Sequence, residues 1–137
     1  MAAGCGYDGV LKLLLEREDV NPNMTDNCGL TPLSFAVSKG QHKVVELLLG
    51  RGDVNPNMPA DNSITPLALA AFQGRDGVVK LLLGREGTNP DMPTTDGRTP
   101  LSIAACQGND GVVELLLRDV NPNVPKNDGD TALPSGL

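Results

Sequence analysis

Three consecutive leucines recur at Leu13 to Leu15, Leu47 to Leu49, Leu81 to Leu83 and Leu115 to Leu117, each run beginning 34 residues after the last. Each run closes an amphipathic stretch. In the second copy Val44, Val45, Leu48 and Leu49 are spaced one, three and four apart, the pattern of a helix that buries one stripe. A second apolar pattern alternates with the first: Thr31-Pro-Leu-Ser-Phe-Ala-Val-Ser-Lys-Gly40 returns as Thr65-Pro-Leu-Ala-Leu-Ala-Ala-Phe-Gln-Gly74 and as Thr99-Pro-Leu-Ser-Ile-Ala-Ala-Cys-Gln-Gly108. Each copy therefore predicts two short helices, and a pair of that size cannot bury its apolar faces until a neighbour covers it. The expected architecture is an all-α stack.

Local chemistry marks the element boundaries. Thr31, Thr65 and Thr99 are suited to cap a helix through their hydroxyls, with Pro following at the first helical position, where its missing N–H is no loss. Gly40, Gly74 and Gly108 close that helix after about two turns. His42, Asp76 and Asp110, with Asp8 in the same slot, are read as side-chain caps of the second helix. The stretch from Asp53 to Ser63 is rich in turn formers and predicts a projecting hairpin between helix pairs, its prolines discouraging strand pairing along the edge.

Thr-Pro-Leu-x-x-Ala, a Gly further on, Val-Val-x-Leu-Leu-Leu and then Asp-Val-Asn, held in one register over four copies, together resemble the ankyrin repeat. The resemblance runs from Ala2 to about Leu133 and implies an all-α ankyrin-repeat solenoid of helix-turn-helix units joined by extended hairpin loops. Two departures recur. The His that the family places after Thr-Pro-Leu is Ser34, Ala68 or Ser102, which removes a side chain that in the family ties neighbouring hairpins, and Asn-Pro-Asn/Asp lengthens the turn. That variant is similar to ankyrin arrays of fungal multidomain proteins. The expected layout is one domain over residues 1–137, with a partial first unit at 1–30, full units at 31–64, 65–98 and 99–130, and the remnant of a fifth at 131–137. Incomplete units at both ends suggest a section of a longer array, with apolar residues such as Val10, Leu11 and Leu14 partly uncovered; the alternative is a natural short chain whose ends fray.

Composition narrows the function. The chain has 137 residues, 2% of them aromatic and none Trp, which suits Ala, Val and Leu packed between short helices. A formal net charge of −6 offers no basic stripe for phosphates, so nucleic acid is not an expected partner; a basic or mixed protein is. Cys5, Cys28 and Cys106 form no C-x-x-C pair, which fits reduced thiols and an intracellular, cytoplasmic setting with the nucleus as the alternative. No apolar run approaches the roughly 18 residues of a membrane span, and Gly at position 4 gives no myristoylation signal.

An enzyme is not expected. His42 is the single His, so no triad forms around it, and no G-x-x-x-x-G-K-[ST] loop is present. The carboxylates Asp61, Asp96 and Asp128 fall on separate hairpin tips, about one repeat apart, too far for paired acid and base work. No cofactor or metal is called for, because the Asp-rich hairpins lack the spacing of a Ca²⁺ loop.

What remains is surface that varies between copies while the frame stays fixed. The resemblance implies a concave groove lined by hairpin tips and the exposed ends of the first helices. Carried over by register, the candidate contacts are Leu30, Asp61, Asn62, Ile64, Phe72, Gln73, Asp96, Arg98, Cys106, Gln107 and Asp128, with Leu30, Ile64 and Phe72 as the apolar anchor. Leu30 and Ile64 are equally read as packing on each other along the hairpin row. The expected function is a scaffold holding a partner protein or peptide on that face; the alternative is a structural array that self-associates end to end. One further column, Lys12, Glu46, Lys80 and Glu114, alternates in sign and is read as a ladder of exposed pairs between successive second helices.

Overall fold

The computed structural model describes residues 16–17, 21–25 and 29–120. Six α-helices lie among them: α1 (Pro32–Ser38), α2 (His42–Leu49), α3 (Pro66–Gln73), α4 (Asp76–Gly84), α5 (Pro100–Gln107) and α6 (Asp110–Val120). Each unit is an antiparallel pair, and pairs stack so that α1, α3 and α5 form an inner row while α2, α4 and α6 form an outer one. Extended hairpin loops join the units, and the tip at Asp61–Ser63 makes a short 3-10 turn.

The inner helices begin as the sequence dictates. Thr31 Oγ1 accepts the Ser34 N–H at 3.1 Å, Thr65 Oγ1 that of Ala68 at 3.1 Å and Thr99 Oγ1 that of Ser102 at 3.2 Å. Caps of this kind contribute about 1 kcal/mol each. Gly40, Gly74 and Gly108 then turn left-handed, at φ 68°, 70° and 74°. The amides of Gln41, Arg75 and Asn109 close back onto the carbonyls of Ala36, Ala70 and Ala104, the six-to-one bond that ends a helix at such a glycine.

The outer helices begin differently from expectation. His42, Asp76 and Asp110 are not caps: they are the first helical residues, and the residues before α2 and α4, Gln41 and Arg75, make no side-chain capping bond. The amides of His42, Asp76 and Asp110 themselves donate to the carbonyls of Gly40, Gly74 and Gly108 at 2.9, 3.1 and 3.0 Å. The side chains serve the next unit instead. The His42 ring lies over Gly77 and the Asp76 carboxylate over Gly111, so close that a Cβ at either glycine would meet them. Asp76 thereby places negative charge at the N-terminal turn of α6, where the helix dipole favours it.

The core fills the space between the rows. Leu33, Phe35, Val45, Leu48, Leu67, Val79, Leu82, Val112 and Leu116 are buried, and Ala36, Ala70, Ala71 and Ala104 let the helices approach closely. Among the described residues the charged ladder does not form, and Lys12 lies outside them. Glu46 pairs with Lys43 at 3.8 Å and Glu114 with Arg118 at 3.2 Å, both within one helix, and no ion pair of Lys80 occurs among the described residues.

Units are joined by side chains that grip a neighbour's backbone. On the inner row Arg75 Nη2 and Gln73 Nε2 both donate to Ser38 O at 3.3 Å, and Asn109 Nδ2 donates to Ala71 O at 2.7 Å and Phe72 O at 3.3 Å. On the outer row Arg85 donates to Leu49 O at 3.0 Å and Val54 O at 2.8 Å, and Arg51 reaches Arg17 O at 3.4 Å. The Asn-Pro-Asn segments form a third line. Asn55 Oδ1 accepts the Asn57 N–H within its own turn at 2.9 Å. The second asparagine crosses over: Asn23 Nδ2 donates to Asp53 O at 2.9 Å while Asn23 Oδ1 accepts the Asn55 N–H at 2.7 Å. Ties lost with the family's His thus have counterparts at other heights of the stack.

The period breaks once. After Leu117 the chain reaches Asn121 two residues sooner than Leu49 reaches Asn55 or Leu83 reaches Asn89, and the glycine found at Gly50 and Gly84 is missing. Helix α6 consequently runs on to Val120, and Arg118, in register with Arg51 and Arg85, turns back onto Glu114 of its own helix.

Candidate partner-binding cleft

The hairpin tips and the inner row enclose a cleft of about 480 Å³ lined by Asn62, Ile64, Ala68, Leu69, Phe72, Thr94, Thr95, Asp96, Arg98 and Ile103. Its floor is apolar and its rim polar. Ala68, Leu69 and Phe72 come from α3, whose Pro-Leu-Ala-Leu-Ala-Ala-Phe-Gln sequence is apolar on nearly all sides. Ile103, from α5, is 8% exposed and closes the far side.

Two tips of different construction hold the rim. In the second, Ala60 N–H donates to Ile64 O at 2.7 Å, and Asn62 and Ser63 both adopt positive φ, 64° and 61°. In the third, Thr94 N–H donates to Arg98 O at 2.9 Å and Gly97 takes the left-handed position at φ 81°. Asn tolerates such a turn; Ser63 occupies it in the slot where the other tips carry Gly29 and Gly97. The tips are joined to each other, Thr95 N–H donating to Asn62 O at 3.0 Å. This bond joins two residues of the cleft lining, one from each tip.

The structure brings Asn62, Ile64, Phe72, Asp96 and Arg98 of the expected set to this one cleft. Phe72 is 55% exposed, more than any other large apolar residue among those described. Ile64 lines the cleft and also packs against the core, as Leu30 does, so both have a structural task; Leu30 is not part of the lining. Asp61 lies over Gly29 of the preceding tip. Gln73 is occupied with Ser38 O and with the Arg75 guanidinium. Cys106 and Gln107 are exposed at the end of α5, away from the cleft lining. Asp128 lies outside the described residues, as do Asp26, Asn27, Cys28, Lys126, Asn127 and Asp130 of the other tips. Thr94 and Thr95 share the third tip with Asp96 and Arg98; Ala68, Leu69 and Ile103 were not legible as lining, because a repeat pattern marks them as core and does not show which core residues a groove uncovers.

No group of His, Cys, Asp and Glu among the described residues is arranged to hold a metal ion. No helix among them is long and apolar enough to cross a membrane.

A stack of helix pairs with projecting hairpins and a groove between tips and inner helices defines a repeat protein that presents a composite surface. The family model for ankyrin repeats (3 copies) matches residues 1–94 and 67–135, and the chain belongs to that family. Ankyrin repeats generally mediate protein–protein interaction and are generally non-catalytic scaffolds. No curated protein matches the chain in a sequence search.

Proposed function

We propose that the chain holds a partner protein on its concave face, at the cleft between the second and third hairpins, with Phe72 as the principal apolar contact. The observation that carries this reading is the exposure of Phe72 beside an apolar floor of Ile64, Ala68, Leu69 and Ile103. A large ring at 55% exposure has no comparable burial to gain inside the fold, and aromatic residues at the centre of a cleft are the kind that dominate interface affinity. The frame adds preorganisation. Tips tied by Thr95 to Asn62, and inner helices tied by Arg75 and Asn109, lose little freedom when a partner arrives.

A photoreactive phenylalanine analogue placed at position 72, and as a control at Leu47, tests this in source cells. Leu47 is 44% exposed on the outer row, so it samples ordinary surface. A protein adduct specific to position 72 supports the concave-face reading. Equal adducts at both positions, or adducts at 47 alone, overturn it.

A further inference from the structure

We propose that the occupant of this cleft is an extended peptide segment bearing one bulky apolar side chain, with a cationic residue on one side of it and an anionic residue on the other. The proposal rests on the concave-face reading and adds that the site reads the order of charges. The apolar floor accounts for the anchor: at about 480 Å³ the cleft is in the range that binds compact ligands, and it admits a side chain together with the backbone that carries it.

The charge order comes from Asp96 and Arg98. They flank Gly97 at the third tip, both exposed, both lining the cleft. Opposite charges two residues apart do pair at another loop: Arg51 and Asp53, with Gly52 between them, close a bidentate pair at 3.0 and 2.8 Å. Asp96 and Arg98 make no such pair with each other or with any other described residue. Gly97 between them takes the left-handed conformation, φ 81°. The same register in the second tip carries Asn62 and Ile64, so the separated charges belong to this edge of the cleft alone among the two tips that form it. An anion and a cation that do not neutralise each other on one edge favour a segment with the complementary order, and rim charges of this kind set orientation more than affinity.

Three synthetic peptides test this against the full chain: Ser-Gly-Lys-Ser-Phe-Ser-Glu-Gly-Ser, the same composition with Lys and Glu exchanged, and the first with Phe replaced by Ala. Binding is read from the methyl resonances of Ile64, Ala68 and Ile103. The Ala peptide is expected to leave them unmoved, and the protein to prefer one charge order by about fivefold, the ratio expected of exposed charge pairs. The double variant Asp96→Arg/Arg98→Asp keeps the net charge and is expected to prefer the opposite order. A preference that is absent, or that the swap does not reverse, overturns the charge-order proposal while the Phe-dependent shifts leave the cleft standing as a partner site. Phenylalanine amide binding as tightly as the peptides overturns the peptide as occupant, and concentration-dependent shifts without any peptide assign the cleft to a second copy. If no Phe peptide moves these resonances, the peptide proposal falls, and the concave-face reading is decided by the position-72 adduct.

Discussion

The Asn57 side chain holds the loop of the next unit in both directions: its Oδ1 accepts the Asn89 N–H at 2.7 Å and its Nδ2 donates to Gly87 O at 2.8 Å. One amide thereby satisfies a donor and an acceptor of a main chain about one repeat away. At about 0.5–1.5 kcal/mol for each net hydrogen bond, Asn57→Ala is expected to cost about 1–2 kcal/mol in urea denaturation. Asn57→Asp keeps only the accepting half and faces the Gly87 carbonyl with a second acceptor, so it should cost at least as much. A loss below about 0.3 kcal/mol for both would show that the bridge is exchanged for water without penalty.

Ser34 is the opposite case. Its Oγ is buried with no hydrogen-bond partner among the described residues, whereas Ser102, exposed, donates to Thr99 O at 2.9 Å and the middle copy carries Ala68. Ser34→Ala removes an unsatisfied hydroxyl and improves helix propensity, and is expected to raise stability by about 1 kcal/mol. Thermal melts of the two proteins measure it.

Leu48 and Phe72 separate frame from surface. Leu48 is fully buried between the rows, so Leu48→Ala should cost about 2–5 kcal/mol. Phe72→Ala exchanges an exposed ring and should change stability by less than about 1–1.5 kcal/mol while weakening partner binding. Equal destabilisation by the two would make Phe72 part of the packing.

Asp53 gives a pH signature. The hydrogen bonds from the Arg51 guanidinium hold its carboxyl below the usual carboxylate value. A folded pKa below the unfolded one contributes stability that is present above the ordinary value, about 3.9, and is lost as pH falls through the lower folded value. Carboxyl resonances should therefore place the Asp53 titration on the acid side of free aspartate, and Arg51→Gln should move it upward. An unshifted titration in the parent protein would show the pair is open in solution.

Much of this fold was legible in the residues because the signals were local. A hydroxyl before Pro, a glycine two turns later and a leucine stripe each specify a conformation within one unit. What the sequence concealed lies between units. The residue before each outer helix is Gln41, Arg75 or Asn109, which shares no obvious chemistry, yet Arg75 and Asn109 both reach the carbonyls of the preceding inner helix. His42 and Asp76 look like caps because they stand one residue from the capping position, and a shift of one residue leaves no trace in composition. The Asn-Pro-Asn spacing and the shortened segment after Leu117 were visible in the chain, but their meaning depends on which loop lies alongside. For the site, Phe72 stood out as a large ring near a helix end. Ile103 did not, since its burial is shared with the core.

The long-reaching contacts at Arg75, Arg85 and Asn109 all end on main-chain carbonyls of an adjoining unit. A carbonyl is present whatever residue carries it, and beside it the joints at Arg75 and Asn109 ask of the neighbour only the bare glycines Gly40 and Gly74. Units of this chain are therefore interchangeable parts at those joints: a copy can be duplicated, removed or exchanged in register without a matching change at the accepting position. The array can thus lengthen or present a new groove by rearranging whole units, leaving the residues that join them as they are.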